Sequence, residues 1–287
     1  MSLLETTRLP GSSGLTLAAD VGGDVAAQAV IFLHGSGQTR HSWRRAAADL
    51  VELGYRVISY DARGHSDSDW SPAGDYSVDA LVADLRAVIA GVAGKPVLVG
   101  ASIGGLTALV ALGEATVPLA TGLIMVDIVP RMEPAGVAHI QNFMTGNLDG
   151  FATLDEAADA VARYNPHRPR SPNPAGLMKN LRLRNGRLFW HWDPRFIGKD
   201  FAKLDPMRNR SRLESAATRL RLPTLLVRGA QSDVVSFDAA DEFRRSIPDC
   251  EFVDVPGAGH MVAGDRNDVF NRAVRNFLAR HAPPLKP

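Results

Sequence analysis

The sequence predicts an α/β protein built on a mostly parallel sheet covered by helices on both faces. Two observations predict it. Short apolar runs of strand length recur along the chain, and helical patterns separate them. A Gly-x-Ser-x-Gly segment, Gly100-Ala101-Ser102-Ile103-Gly104, sits where one such run meets one such helix. A sheet buried on both sides requires apolar strands alternating with helices.

In order, Gly14 to Val21 alternates like a strand, and Ala29-Val30-Ile31-Phe32-Leu33 reads as a fully buried one. Ser42 to Leu53 has helical spacing and stops at Gly54, before the strand Tyr55 to Tyr60. Ser77 to Ala90 is an amphipathic helix with Val78, Leu81, Val82, Leu85 and Ile89 on one face. Strand Val97 to Val99, the helix after Ser102 and strand Leu123 to Val126 follow. The alternation then breaks. From Val129 to about Leu213 there are helical patterns and proline-rich turns, with Pro166, Pro169, Pro172 and Pro174 crowding one stretch. It resumes with strand Pro223 to Arg228, helix Phe237 to Ser246, strand Glu251 to Val255 and helix Val269 to His281. The tail, Ala282 to Pro287, is expected to be loose.

A chain of 287 residues can bury a large core. Its formal net charge is +1, and acids and bases are dispersed, so no basic block points to nucleic acid. The densest basic stretch, Arg163 to Arg187, is broken by Pro, Asn and Leu and reads as solvated surface. Cys250 is the only cysteine, which excludes an intramolecular disulfide and suits a reducing compartment. The first residues lack a basic region followed by an apolar one, as a secretory signal has. The most apolar stretch, Val97 to Gly113, is short for a membrane span. These observations lead us to expect a cytoplasmic protein without membrane or nucleic-acid partners.

The Gly100 to Gly104 segment reads as a nucleophile elbow, a sharp turn that exposes a serine hydroxyl at the carboxyl edge of a sheet. Serine needs a base and an oxyanion site. His34-Gly35-Ser36-Gly37 follows a strand end, and its glycines let backbone N–H groups approach a ligand oxygen. The expected donors are the N–H groups of Ser36 and Ile103. Asp233 and His260 each follow a later strand, so Ser102, Asp233 and His260 stand in the order nucleophile, acid, base. Asp127, at the end of a strand, is the alternative acid. Phe143, Trp190 and Trp192 are candidate substrate contacts, with a small core of their own as the competing reading. His191 is expected to be structural, and Asp61 and Arg63 to be loop anchors.

These motifs together resemble the α/β-hydrolase superfamily, in its cap-bearing serine hydrolase branch, over roughly residues 12 to 280. The resemblance rests on the His34-Gly35 segment, the turn Asp61 to Ser66, the elbow, Asp233 and His260. It implies an eight-stranded, mostly parallel sheet with a helical cap, residues 129–213, inserted after the sixth strand between core segments 1–128 and 214–287. It further implies hydrolysis of a carboxylic ester or lactone of a small apolar or aromatic substrate through an acyl-enzyme, without metal or organic cofactor. Relatives that open epoxides or remove halide use aspartate where this chain has Ser102. Ala101 and Ile103 replace the His and Met common beside the serine, which leaves the subfamily open. Rival readings are a carbon–carbon bond hydrolase acting on a vinylogous diketone, and a perhydrolase or cofactor-free haloperoxidase. A non-catalytic small-molecule receptor is the rival of another class.

Overall fold

The computed structural model describes residues 3–166, 168–197, 209–265 and 267–284. Its main sheet is built from β1 (Glu5–Pro10), β2 (Thr16–Gly22), β3 (Ala29–Leu33), β4 (Arg56–Tyr60), β5 (Val97–Ala101), β6 (Gly122–Val126), β9 (Thr224–Gly229) and β10 (Glu251–Val255). A separate hairpin joins β7 (Leu181–Arg184) to β8 (Arg187–Trp190). The helices are α1 (Arg44–Glu52), α2 (Val78–Ala90), α3 (Ile103–Gly113), α4 (Pro134–Thr145), α5 (Leu154–Tyr164), α6 (Arg210–Thr218), α7 (Phe237–Ser246), α8 (Val262–Asp265) and α9 (Asn267–His281).

The eight strands lie in the order β1-β2-β4-β3-β5-β6-β9-β10. Strands β1 and β2 run antiparallel, and the rest are mutually parallel. All five residues of β3 and of β6 are buried, as a doubly covered parallel strand demands. One core packs α2 and α3 on one face, with Leu85, Leu98 and Leu106 at its centre. The other packs α1 and α9, with Phe32, Trp43, Phe270 and Phe277. The chain leaves β3 toward β4 and returns to β5 on its other side. Strand order therefore reverses between β3 and β5, and their carboxyl-end loops part to leave a crevice.

Side chains fix several helix starts. Ser77 and Ser236 accept hydrogen bonds from Ala80 N–H and Ala239 N–H. Thr153 accepts from Glu156 N–H while Glu156 accepts from Ala152 N–H, close to a reciprocal capping box. Each such cap is worth on the order of 1 kcal/mol.

The stretch between β6 and β9 departs from its expected form in two ways. It is not wholly helical, because the β7–β8 hairpin lies within it. Its expected end at residue 213 falls inside α6, which packs on α3 so closely that a Cβ on Gly113 would lie 2.4 Å from the Ala216 carbonyl oxygen. Residues 198–208 of this stretch, and 285–287 of the expected loose tail, lie outside the described residues. Among the described residues, no helix is long and apolar enough to cross a membrane.

Candidate active site

Ser102 sits between β5 and α3 with φ 48 and ψ −122, a strained conformation for a residue with a side chain. Such strain costs on the order of 1–3 kcal/mol and persists only where the surroundings enforce it. They do so here by close packing. A Cβ on Gly104 would lie 2.5 Å from the Leu33 carbonyl oxygen, so only glycine lets α3 start this close to β3. The Ser102 N–H donates to the Val126 carbonyl at 3.3 Å, which sets the serine beside the end of β6.

The loop after β3 lies against the serine. A Cβ on Gly35 would lie 3.2 Å from Ser102 Cβ. Within this loop the Gly35 N–H donates to Gln38 Oε1 at 3.2 Å, the Gly37 N–H to His65 Nε2 at 3.2 Å, and the Gln38 N–H to the Gly35 carbonyl at 3.1 Å. The Ser36 N–H has no partner among the described residues. Nor has the Ile103 N–H, which belongs to the first turn of α3, where the helix itself provides no acceptor. Ser36 and Ile103 both line the cleft at Ser102.

The structure places a different carboxylate from the expected one beside His260. His260 Nδ1 lies 2.7 Å from Asp127 Oδ2, not from Asp233. Asp127 follows β6 and is fully buried. It also accepts the Ser232 hydroxyl on Oδ2 at 2.5 Å and the Gly229 N–H on Oδ1 at 2.8 Å. Two donors besides the imidazole thus hold this carboxylate in place. The turn after β9 carries Asp233 the other way, onto α4, where its carboxylate meets His139 Nδ1 at 2.9 Å. Its side chain is 50% exposed there, against none for Asp127. Gly136 makes this contact possible, since a Cβ there would lie 2.1 Å from the Asp233 carbonyl oxygen. Sequence reasoning did not single out Ser232. Its signal is a serine opening a turn, and its Oγ accepts the N–H groups of Val234 and Val235 at 3.1 Å each.

The candidate substrate contacts are also corrected. Trp190 and Trp192 are buried and stack on each other at 5.1 Å and 12°. Phe151 meets Trp190 edge-on, and Phe143 stacks on Tyr164 at 4.3 Å. These rings pack on one another and continue the core of the α2–α3 face into the insertion. The cleft is lined instead by aliphatic side chains. Helix α4 supplies Val137, Ile140, Gln141 and Met144, spaced three and four apart on one face. Ile103 and Leu106 come from α3, Ile128 and Met132 from the loop after β6, and Ile197 and Val234 close the wall.

Asp61 and Arg63 anchor loops as expected. Asp61 accepts the Arg40 N–H at 2.7 Å and pairs with the Arg40 guanidinium. Arg63 grips both oxygens of Asp84 at 2.6 and 2.7 Å. Behind the Ser36 loop, His34, His65 and His191 are all buried, and burial pushes each imidazole below its ordinary pKa, His191 to about 3.

The chain resembles known proteins over most of its length. The model of the alpha/beta hydrolase fold family matches residues 28–266. An sn-1-specific diacylglycerol lipase of Mus musculus is 32% identical over 265 residues, covering 90% of this chain and 83% of the relative. An esterase of Mycobacterium tuberculosis is 31% identical over 261 residues, covering 88% and 83%. The solved structure of an E-2-(acetamidomethylene)succinate hydrolase shares the fold, with a TM-score of 0.81 over 96% of this chain and 99% of that one at 22% identity.

Proposed function

We propose that this chain, which belongs to the alpha/beta hydrolase fold family, is a serine hydrolase that cleaves carboxylic esters of small apolar acyl groups through an acyl-enzyme. The observation that carries this reading is the contact of the buried Asp127 with His260 at the end of the sheet where the strained Ser102 and the N–H groups of Ser36 and Ile103 also lie. The names of the lipase and the esterase, both ester-cleaving relatives, support it.

In this reading Ser102 Oγ attacks the ester carbonyl carbon while His260 Nε2 takes its proton. Asp127 holds His260 Nδ1–H, which fixes the tautomer and stabilises the imidazolium. The oxygen that becomes anionic enters the space faced by the N–H groups of Ser36 and Ile103. Donors set in place before the reaction need no reorganisation, and one such donor is typically worth about 10²–10³ in turnover. The tetrahedral intermediate collapses, and the alcohol leaves with the proton from His260. Water then attacks the acyl-enzyme by the same steps.

In this reading the inserted segment acts as a cap, since α4 forms a wall of the cleft while Ser102, Asp127 and His260 lie outside it. Aliphatic walls suit the acyl chain of an ester or lactone better than an aromatic ring. The reading is tested with p-nitrophenyl esters from acetyl to decanoyl and a lactone series, wild type beside Ser102→Ala. Turnover that Ser102→Ala abolishes supports it. Turnover unchanged in Ser102→Ala, or tight binding of one small molecule with no turnover of any ester, contradicts it.

A further inference from the structure

We infer that His191 is a positioning residue through which the inserted segment holds the oxyanion loop, its Nε2–H fixing the carbonyl of Gly37 next to Ser36. The inference rests on the reading of the Ser36 N–H as an oxyanion donor.

Three neutral imidazoles surround the loop, and the backbone fixes the tautomer of each. The Ser66 N–H donates to His191 Nδ1 at 2.8 Å, so Nδ1 carries no proton. The ring proton is then on Nε2, 3.2 Å from the Gly37 carbonyl, which accepts it. The Gly37 N–H donates to His65 Nε2, so His65 carries its proton on Nδ1 and donates to the Arg63 carbonyl at 3.2 Å. His34 follows the same rule: its Nε2 accepts the Ala62 N–H at 2.9 Å, and its Nδ1 faces the Gly35 carbonyl at 2.8 Å. Residue Gly37 is therefore gripped at both ends, its N–H by His65 and its C=O by His191. Ser36, the donor, is the residue just before it.

His34 and His65 belong to the loops after β3 and β4, which meet at the sheet edge in any case. His191 follows β8 and comes from the insertion. Its ring lies 5.7 Å from that of His65 and stands edge-on to Trp192. Trp192 itself would lie 3.3 Å from a Cβ on Gly37. Neighbouring bonds hold the same segment to the loop after β4. The Asp193 N–H donates to the Gly64 carbonyl at 2.8 Å, and Arg182 reaches Ser66 Oγ at 3.2 Å and Asp67 at 2.7 Å. The insertion thus builds one wall of the cleft with α4 and also sets the loop that presents a donor to the reacting oxygen.

Kinetics and inhibition of His191→Leu, His191→Gln and His191→Asn test this. Glutamine can place its amide N–H near the position of Nε2, whereas asparagine reaches only as far as Nδ1. The probes are a p-nitrophenyl ester and a trifluoromethyl ketone, which forms a tetrahedral adduct on the serine and needs the oxyanion donors. His191→Leu is expected to lower kcat about 10- to 100-fold with KM within a few-fold, and to weaken the ketone by a similar factor. His191→Gln is expected to recover more of both than His191→Asn. If His191→Leu does not fold, the order of Gln over Asn decides alone. Losses confined to KM, or Gln and Asn variants indistinguishable in kcat and ketone affinity, overturn the positioning role. A wild type that neither turns over esters nor binds the ketone overturns the serine hydrolase reading itself, and this inference with it.

Discussion

Asp127 Oδ2 lies 2.7 Å from His260 Nδ1, and the same oxygen accepts the Ser232 hydroxyl at 2.5 Å. A serine from the turn after β9 thereby fixes a carboxylate at the end of β6. Asp127→Asn is expected to fold and to lose about four orders of magnitude in kcat, because an amide in that place favours the wrong imidazole tautomer. Asp233→Asn, whose carboxylate pairs with the half-exposed His139, is expected to stay within a few-fold of wild type. Steady-state kinetics of the two variants check this; a dead Asp233→Asn beside an active Asp127→Asn would reverse the assignment.

Ile140 faces the cleft from α4. Ile140→Trp should fill part of it and lower the ratio of kcat/KM for hexanoyl over acetyl esters about tenfold. One methylene in an apolar pocket contributes on the order of 1–3 kcal/mol to such discrimination. An unchanged ratio in a folded variant would place the acyl chain elsewhere.

Trp190 is core of the insertion, buried and stacked on Trp192. Trp190→Ala should therefore cost stability, about 3–5 kcal/mol if the site does not collapse, while the ranking of ester substrates holds. Urea denaturation and the ester series measure the two effects separately.

Stability should fall on mild acidification. Burial lowers the pKa of His34, His65 and His191 in the fold; on His191 the Gly37 hydrogen bond and Asp67 oppose it, while His34 and Arg182 add to it. Each ring takes up its proton near pH 6.5 when unfolded but resists it when folded. The stability they contribute is fully present above about pH 6.5 and is lost as pH falls toward the folded values, about 3 for His191. The urea midpoint should be flat from pH 8 to 7 and decline below about 6.5, before carboxylate protonation matters near 4. A flat midpoint down to pH 5 would contradict this.

Much of this architecture is legible in the sequence where burial is extreme. Strands such as Ala29–Leu33 and the helix Phe237–Ser246 are visible as apolar runs or amphipathic spacing. Strand β1, Glu5–Pro10, is not, because it is a polar edge strand paired on one side only. The β7–β8 hairpin carries a readable signal in Asn185-Gly186, both at positive φ, but flanking arginines make it look like solvated loop. The glycine-rich turns after strands that carry Ser36, Ser102 and His260 are legible. The carboxylate that meets His260 is not, because Asp127 and Asp233 both follow strand ends and only the direction of each turn separates them. The cleft-facing row Val137, Ile140, Gln141 and Met144 has helical spacing that the nearby aromatic cluster overshadows.

Ser102 is expected to act as the nucleophile. The most direct test is reaction of the folded protein with a fluorophosphonate, followed by intact-mass and peptide mass spectrometry. One adduct per chain, on the peptide carrying Ser102 and absent from Ser102→Ala, is the expected result. No adduct on folded protein, or an adduct on another residue that persists in Ser102→Ala, would contradict it.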